Sequence, residues 1–366
     1  RNRILILNPY SGDAFFFTYT TSGDFRYSGP TFEFMHSLEI FNNFYFGASV
    51  NYQILDGLKK VYTFAETLYR NVSGNVGVAY KISPNFSVGF NYQLNDTQER
   101  ITANDVNNTD VRTFLFRGEK HKIELRGSSQ DYKIKKSGNL FSFQTQFIPI
   151  NNLVVGINTK YVQRKSFSLF PMSSLDDVED GYSRYDDLEF VLQARWIKSE
   201  STVLGFSSGY CSSNSWTKNS KLDLTIWDLS FSNIFAGFGS TINLNKNLLV
   251  GFEYEISSLS ADSLKYIDDR FEKEQAINHL ARLGVESNIN QIFTFRCGYN
   301  FIYKQHDFIV GGDNLYLHYI TLGTRIKLSD KMEIEPRFEY SATSLQDSEL
   351  YKNNFGVYAT IRFHEF

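Results

Sequence analysis

Gly205-Phe206-Ser207-Ser208-Gly209 has the G-x-S-x-G spacing of a nucleophile elbow. An elbow presents its serine on a sharp turn between a strand and a helix. These five residues instead sit inside an alternating run with no helical period after it, so the spacing alone carries no catalytic expectation. Six histidines (His36, His121, His279, His306, His318 and His364) are scattered along the chain. A serine, a histidine and an acid gathered only in space would make a hydrolase, and that is kept as a second alternative. Asp176-Asp177-Val178-Glu179-Asp180-Gly181 approaches a calcium loop, but the D-x-D-x-D-G spacing fails at Val178, which leaves a solvated acidic loop. Cys211 and Cys297 fit neither a disulfide framework nor a zinc spacing. No metal or cofactor is expected, and the chain is not expected to be an enzyme.

Two sets of charges are more suggestive. The stretch 97–137 carries Arg112, Arg117, Lys120, Lys122 and Arg126, then Lys133, Lys135 and Lys136, against Asp110, Glu119, Glu124 and Asp131. Val111 to Arg117 and Lys120 to Arg126 alternate like strands within it. The second set is Glu253, Glu255, Arg282, Glu286, Arg296, Arg325, Lys327, Glu333, Glu335, Arg337, Glu339 and Arg362. It is confined to the last part of the chain. Earlier positions of the same parity are mainly Asn, Gln, Ser and Gly.

The elements that place these charges are short alternating segments. In LNKNLLVGFEYEI, Leu248, Val250, Phe252, Tyr254 and Ile256 share one parity, while Leu249, Gly251, Glu253 and Glu255 share the other. Strand side chains alternate between faces, so this is one apolar face and one small-or-charged face. The phrase recurs as SPNFSVGFNYQL from Ser83 and PINNLVVGINTKYV from Pro149. Short turns fall at Asn42-Asn43, Ser83 to Asn85, Pro149 to Asn152, Lys198 to Ser201, Asn245 to Asn247, Asn288 to Gln291 and Ser329 to Lys331. Longer polar stretches join the other ends, near 21–29, 56–66, 97–137, 164–184, 212–222, 257–275, 304–315 and 344–353. Counting from Ala14 gives about sixteen strands, with about fourteen as the fallback.

From Phe44 to Tyr52 the apolar stripe rises about 20 Å at a tilt near 40°, close to the roughly 25 Å apolar band of a transmembrane barrel. Phe44, Phe86, Phe147, Trp196, Phe293 and Phe363 fall near one interface. Tyr52, Tyr92, Tyr161, Tyr210, Tyr254, Tyr299 and Tyr340 fall near the other. A sheet in lipid must close, because an open edge leaves backbone groups unpaired. The expectation is all-β: one closed antiparallel transmembrane β-barrel spanning 1–366, with short periplasmic turns and long extracellular loops. Residues 1–13 form a short periplasmic segment in this reading, and 97–137 an outer or inward-folding loop. With a net charge of −3 there is no basic footprint for nucleic acid.

On these features the chain resembles bacterial outer-membrane β-barrel proteins over essentially its whole length. About sixteen strands with a long third outer loop is similar to the general porins, whose third loop folds into the lumen. The family's last strand ends in an aromatic. Here Val357, Ala359, Ile361 and Phe363 form the apolar face, and the terminal Phe366 falls on the other parity. The resemblance implies an outer-membrane location and contact with outer-membrane lipid and lipopolysaccharide. It implies a passive channel for small polar or charged solutes, its lumen lined by the second charge set. Arg112, Arg117, Lys120, Lys122 and Arg126 would make a positive constriction facing the Glu253/Glu255 and Glu333/Glu335 wall. The alternative is a barrel subunit of an envelope export or surface-display complex, with an envelope protein partner or further copies of itself.

Overall fold

The structure, a computed structural model, describes residues 14–19, 25–59, 64–104, 112–125, 129–170, 177–306, 313–345 and 351–363. Arg126, Asp176, His364, Phe366 and the segment 1–13 lie outside the described residues. Among those described, one antiparallel sheet holds β2 (Phe25–Ser28), β3 (Thr31–Phe41), β4 (Phe44–Lys59), β5 (Phe64–Ser83) and β6 (Phe86–Asn104). It continues through β9 (Ser129–Ile150), β10 (Leu153–Phe170), β11 (Val178–Ser199), β12 (Thr202–Asn219), β13 (Leu224–Asn245) and β14 (Leu248–Lys265). It ends with β15 (Arg270–Asn288), β16 (Phe293–His306), β17 (Asp313–Ser329), β18 (Met332–Leu345) and β19 (Tyr351–Phe363). A separate sheet has the order β1 (Phe15–Tyr19), β7 (Thr113–Arg117), β8 (His121–Leu125).

The seven short turns stand where the alternation places them, each joining two paired neighbours. β2 and β3 pair with β4 in one continuous register, Ser28 opposite Asp56 and Thr31 opposite Gln53. They are two halves of one pass. Pro30 breaks it by lacking an N–H, although its carbonyl still accepts from Ile54 N at 3.1 Å. The sixteen strands of the large sheet therefore make fifteen passes. Its edge strands β3 and β19 both run toward the short-turn end, so they are parallel to each other.

Two expectations change. The first strand, counted from Ala14, is not in the wall. Phe15, Phe16 and Phe17 put aromatics on both faces of β1, and β1 pairs with β7 in the small sheet. The stretches 212–222 and 257–275 are largely strand. β13 has 22 residues, about 55 Å of height at roughly 3.3 Å per residue and a 40° tilt, against an apolar band of about 25 Å. More than half of its length therefore stands beyond the band.

The sequence marks that exit by inverting its alternation. In β13, Phe238, Ala236 and Ile234 lie on the outward face, then Ser232, Ser230 and Asp228 replace them. On the opposite face Phe231, Leu229 and Trp227 become large and apolar. In β14, Phe252, Tyr254 and Ile256 give way to Ser258, Ser260 and Asp262, with Leu259 and Ala261 facing in. Near the switch, outward tyrosines find polar partners on adjacent strands. Tyr92 donates to Asn139 (2.9 Å), Tyr161 to Asp186 (3.0 Å), and Tyr254 and Tyr299 share hydrogen bonds with His279 (2.7 Å) and His318 (2.8 Å). An apolar body with a polar tip is what an interface selects.

Candidate functional site

The apolar residues that turn inward beyond the switch do so because the small sheet packs on them. Phe17 of β1 and Leu115 of β7 share a buried cluster with Ala65, Ile101, Tyr132 and Ile134 from the inward faces of β5, β6 and β9. The Phe17 and Tyr132 rings stack at 5.8 Å. Ala14 and Phe15 share a second cluster with Ile226, Trp227 and Leu229 of β13. One small sheet thus reaches from β5 to β13 across the inner face. Phe15 lies on Gly181 of β11, where a Cβ would stand 1.9 Å from the ring.

The β7–β8 turn is latched to the wall. Gly118 has φ +82°, and a Cβ there would meet Asp268 Oδ2 at 2.6 Å, so the turn needs glycine. Asp268, fully buried in the short 3₁₀ turn between β14 and β15, accepts the N–H groups of Glu119 and Lys120 on Oδ1, both at 2.7 Å. Its Oδ2 accepts Trp227 Nε1–H at 2.8 Å, and Lys120 Nζ donates to its backbone oxygen at 2.8 Å. Glu119 is gripped by Lys265 and by Arg270 Nη1 at 3.1 Å. Arg117 forks onto the buried Asp180, with Nε to Oδ2 at 3.1 Å. Buried charges persist only when paired and hydrogen-bonded in this way.

The described basic residues expected at a constriction have partners of their own. Arg117 is paired with Asp180, Lys120 donates to the backbone oxygen of Asp268, Lys122 lies 4.9 Å over the Phe114 ring, and Arg112 stands 3.9 Å from Glu124. Glu255 lies ten residues down β14 from Lys265, about 33 Å away along the strand. Asp177 and Asp180, parts of the calcium-like stretch, hold Lys133 (2.7 Å) and Arg117 instead of one another. Among the described residues no acid, histidine and cysteine cluster could hold a metal.

The twelve charges of the last strands all face inward and largely pair there. Arg282 meets Glu253 at 2.8 Å. A chain runs Glu286–Arg296–Glu335–Arg362–Glu333, at 2.8, 3.1, 3.0 and 3.6 Å. Arg296 reaches Glu335 across β17, where the residue opposite it is Gly323. Arg337 meets Glu339 at 2.8 Å, Arg325 donates to Thr294, and Lys327 meets Asp330 at 2.8 Å. Inward charges that were missed include Lys160 with Glu189 (3.1 Å) and Arg164 with Asp187 (2.6 Å), on β10 and β11, and Arg195, on the same face of β11 as Gln193. Their parity was readable, but Arg164 fell within a stretch read as loop. Ser207 sits mid-strand opposite Gln193 and Gly237, and the described histidines lie on β3, β8, β15, β16 and β17.

Below the small sheet the inner face opens into a cavity of about 790 Å³, bounded by residues from β5 round to β14. A wall touched from such distant strands by one cavity is curved around it.

An apolar outer face, an interfacial tyrosine belt, a polar concave face and an inner sheet pinned across it define a bacterial outer-membrane β-barrel protein, located in the outer membrane. The chain belongs to a family of unknown function, DUF6850, whose model matches residues 1–361. No curated protein matches it in sequence. In fold it is similar to the ferric citrate transporter FecA in its unliganded form, with a TM-score of 0.54 and 12% identity, over 94% of this chain and 58% of that one. The ferric yersiniabactin uptake receptor FyuA from Yersinia pestis aligns with a TM-score of 0.49 and 14% identity, over 93% of this chain and 57% of that one. The chain thus spans less than two thirds of the length of either.

Proposed function

We propose that the protein is an outer-membrane transport protein whose concave face is a lumen roofed at its outer end by the β1–β7–β8 sheet. The observation that carries this is the latch, in which Asp268, Glu119 and Arg117 bind the small sheet to four wall strands or turns. Passage of small polar or charged solutes then depends on the roof moving. The lining set holds six acids and six bases, and most are paired, so its selectivity is weak. Because β3 and β19 run the same way, closure by antiparallel pairing alone would take an odd number of further strands, and direct closure would make a parallel seam. Planar-bilayer conductance is the test. The intact protein should conduct little, and Asp268→Ala or removal of 112–125 should open it. A wide, steady conductance of the intact protein would refute the roof.

A barrel subunit of an envelope complex is the second reading. It is favoured by the same roof and by the two wall edges left unpaired among the described residues. No conductance from either form, with a stoichiometric partner retained through purification, would promote it.

A further inference from the structure

The 790 Å³ cavity has an unusual lining for a face that elsewhere carries ion pairs. Among the described residues around it the ionisable ones are Arg195 and Glu253, and Glu253 is already paired with Arg282. Four primary amides dominate instead: Gln144 and Gln146 of β9, Asn158 of β10 and Gln193 of β11. The register sets them side by side. Gln144 is opposite Asn158, and Gly156 stands between Gln146 and Gln193. Gly89 is opposite Gln144 on the other side. The lateral neighbours of these amides are small or are one another: Gln146 stands between Gly156 and Ser87, and Gln193 between Gly156 and Ser207. None hydrogen-bonds another side chain of the wall, and Asn158 Oδ1 is buried without a partner in the protein. The cluster therefore offers donors and acceptors in pairs over a glycine floor. Its volume lies within the roughly 300–1,000 Å³ range of small-molecule sites.

We infer that this chamber is a binding site for a neutral, polyhydroxylated solute of oligosaccharide size. A cationic ligand would find only the already paired Glu253, and an anionic one the single guanidinium of Arg195, so desolvating a multiply charged ligand here would be unfavourable. A bulky apolar ligand would strand the amides unpaired. A run of hydroxyls satisfies both, since adjacent hydroxyls present a donor and an acceptor to the oxygen and nitrogen of one amide. The phenylalanines that border the cavity, Phe206, Phe238 and Phe252, lie on the outward parity of their strands and are exposed there, so they do not stack on a sugar ring and binding is weak, as suits a solute that must leave again. The inference deepens the transport reading and rests on it for access to the chamber.

The probe is maltotriose, with trilysine and triglutamate as charged comparisons, titrated against the intact protein in lipid nanodiscs by saturation-transfer difference NMR. Maltotriose should saturate in the millimolar range. Each amide removed should weaken it about two- to tenfold, so the double variant Gln146→Leu/Gln193→Leu should lose about four- to a hundredfold. Lys273→Gln, an exposed position opposite the outward Asp262 beyond the membrane, should leave binding unchanged and keep the SDS-resistant mobility of the folded wall. Absence of saturable maltotriose binding, equal binding by the double variant, or tighter binding of either charged peptide would overturn the inference. Binding does not need passage. Binding by a protein that never conducts would sink the transport reading and leave the site standing. Conductance without maltotriose binding would do the reverse.

Discussion

Asp268→Ala should release the inner sheet. The carboxylate is buried and accepts three N–H groups, Glu119 and Lys120 at 2.7 Å and Trp227 Nε1 at 2.8 Å. Hydrogen bonds to a charged group are worth about 1.5–3 kcal/mol each, but bonds sharing one acceptor do not add. Breaking one partner out of a buried charged cluster costs about 3–5 kcal/mol, since what remains is left uncompensated. Here that means Trp227 Nε1 and the two turn amides of Glu119 and Lys120. At about 1.4 kcal/mol per factor of ten, the undocked population should rise at least a hundredfold. The assay is thiol labelling of Leu115→Cys, a fully buried position on β7, in a Cys211→Ser/Cys297→Ser background. Asp268→Asn, which keeps one carbonyl acceptor, should fall between. Heat-dependent mobility in SDS checks that the wall still folds. Labelling within about threefold of the parent, on a folded wall, would show that Asp268 does not hold the sheet.

Three further outcomes follow from the same geometry. Phe252→Arg, on the outward face, should destabilise the wall by about 2–4 kcal/mol, and Glu253→Gln, one residue on, by far less; urea unfolding in detergent compares them, and equal effects would mean the two faces are exchanged. Hydrogen bonds from Lys133, and then Lys135, hold the Asp177 carboxyl below its usual range. The link therefore contributes fully above the ordinary carboxylate value of about 3.9 and is lost as pH falls through the lowered value; hydrogen-exchange protection factors at Tyr132 and Lys133, taken against the intrinsic rate at each pH, should fall on acidification, and Asp177→Asn should show the lowered protection already at pH 7. Cysteines at Phe34 of β3 and Val357 of β19 should form no disulfide with one another in native membranes, whereas a ladder of β3–β19 crosslinks, or a crosslinked dimer of the chain, would refute an odd set of strands between the edges.

The part of the wall that lies in lipid was legible because the membrane writes on one face only. Val250, Phe252 and Tyr254 had to face hydrocarbon, so Gly251, Glu253 and Glu255 were left for the other side. The turns followed, since each apolar stripe begins within a few residues of one. The charge ladder was legible in composition and parity, but not in its pairing. Arg296 finds Glu335 only because β17 puts Gly323 between them, and that depends on three registers at once.

The wall beyond the membrane and the inner sheet were hidden by one and the same fact. Where a strand leaves lipid its outward positions turn polar. If nothing lay inside, both faces would then be polar and the strand would read as loop, which is how 212–222 and 257–275 were read. The strands do not go polar on both sides, however. Trp227, Leu229 and Phe231 alternate with Asp228, Ser230 and Ser232 in strict period two, on the parity opposite to Ile234, Ala236 and Phe238. Tyr132 and Ile134 do the same against Asp131, Lys133 and Lys135 in β9. A window tuned to one parity sees such a segment as the end of the strand. A segment whose alternation survives but changes sign says that the strand continues and that its inner face has met something apolar. That something is β1 with β7 and β8, whose Phe15-Phe16-Phe17 and Phe114-Leu115-Phe116 are apolar on both faces.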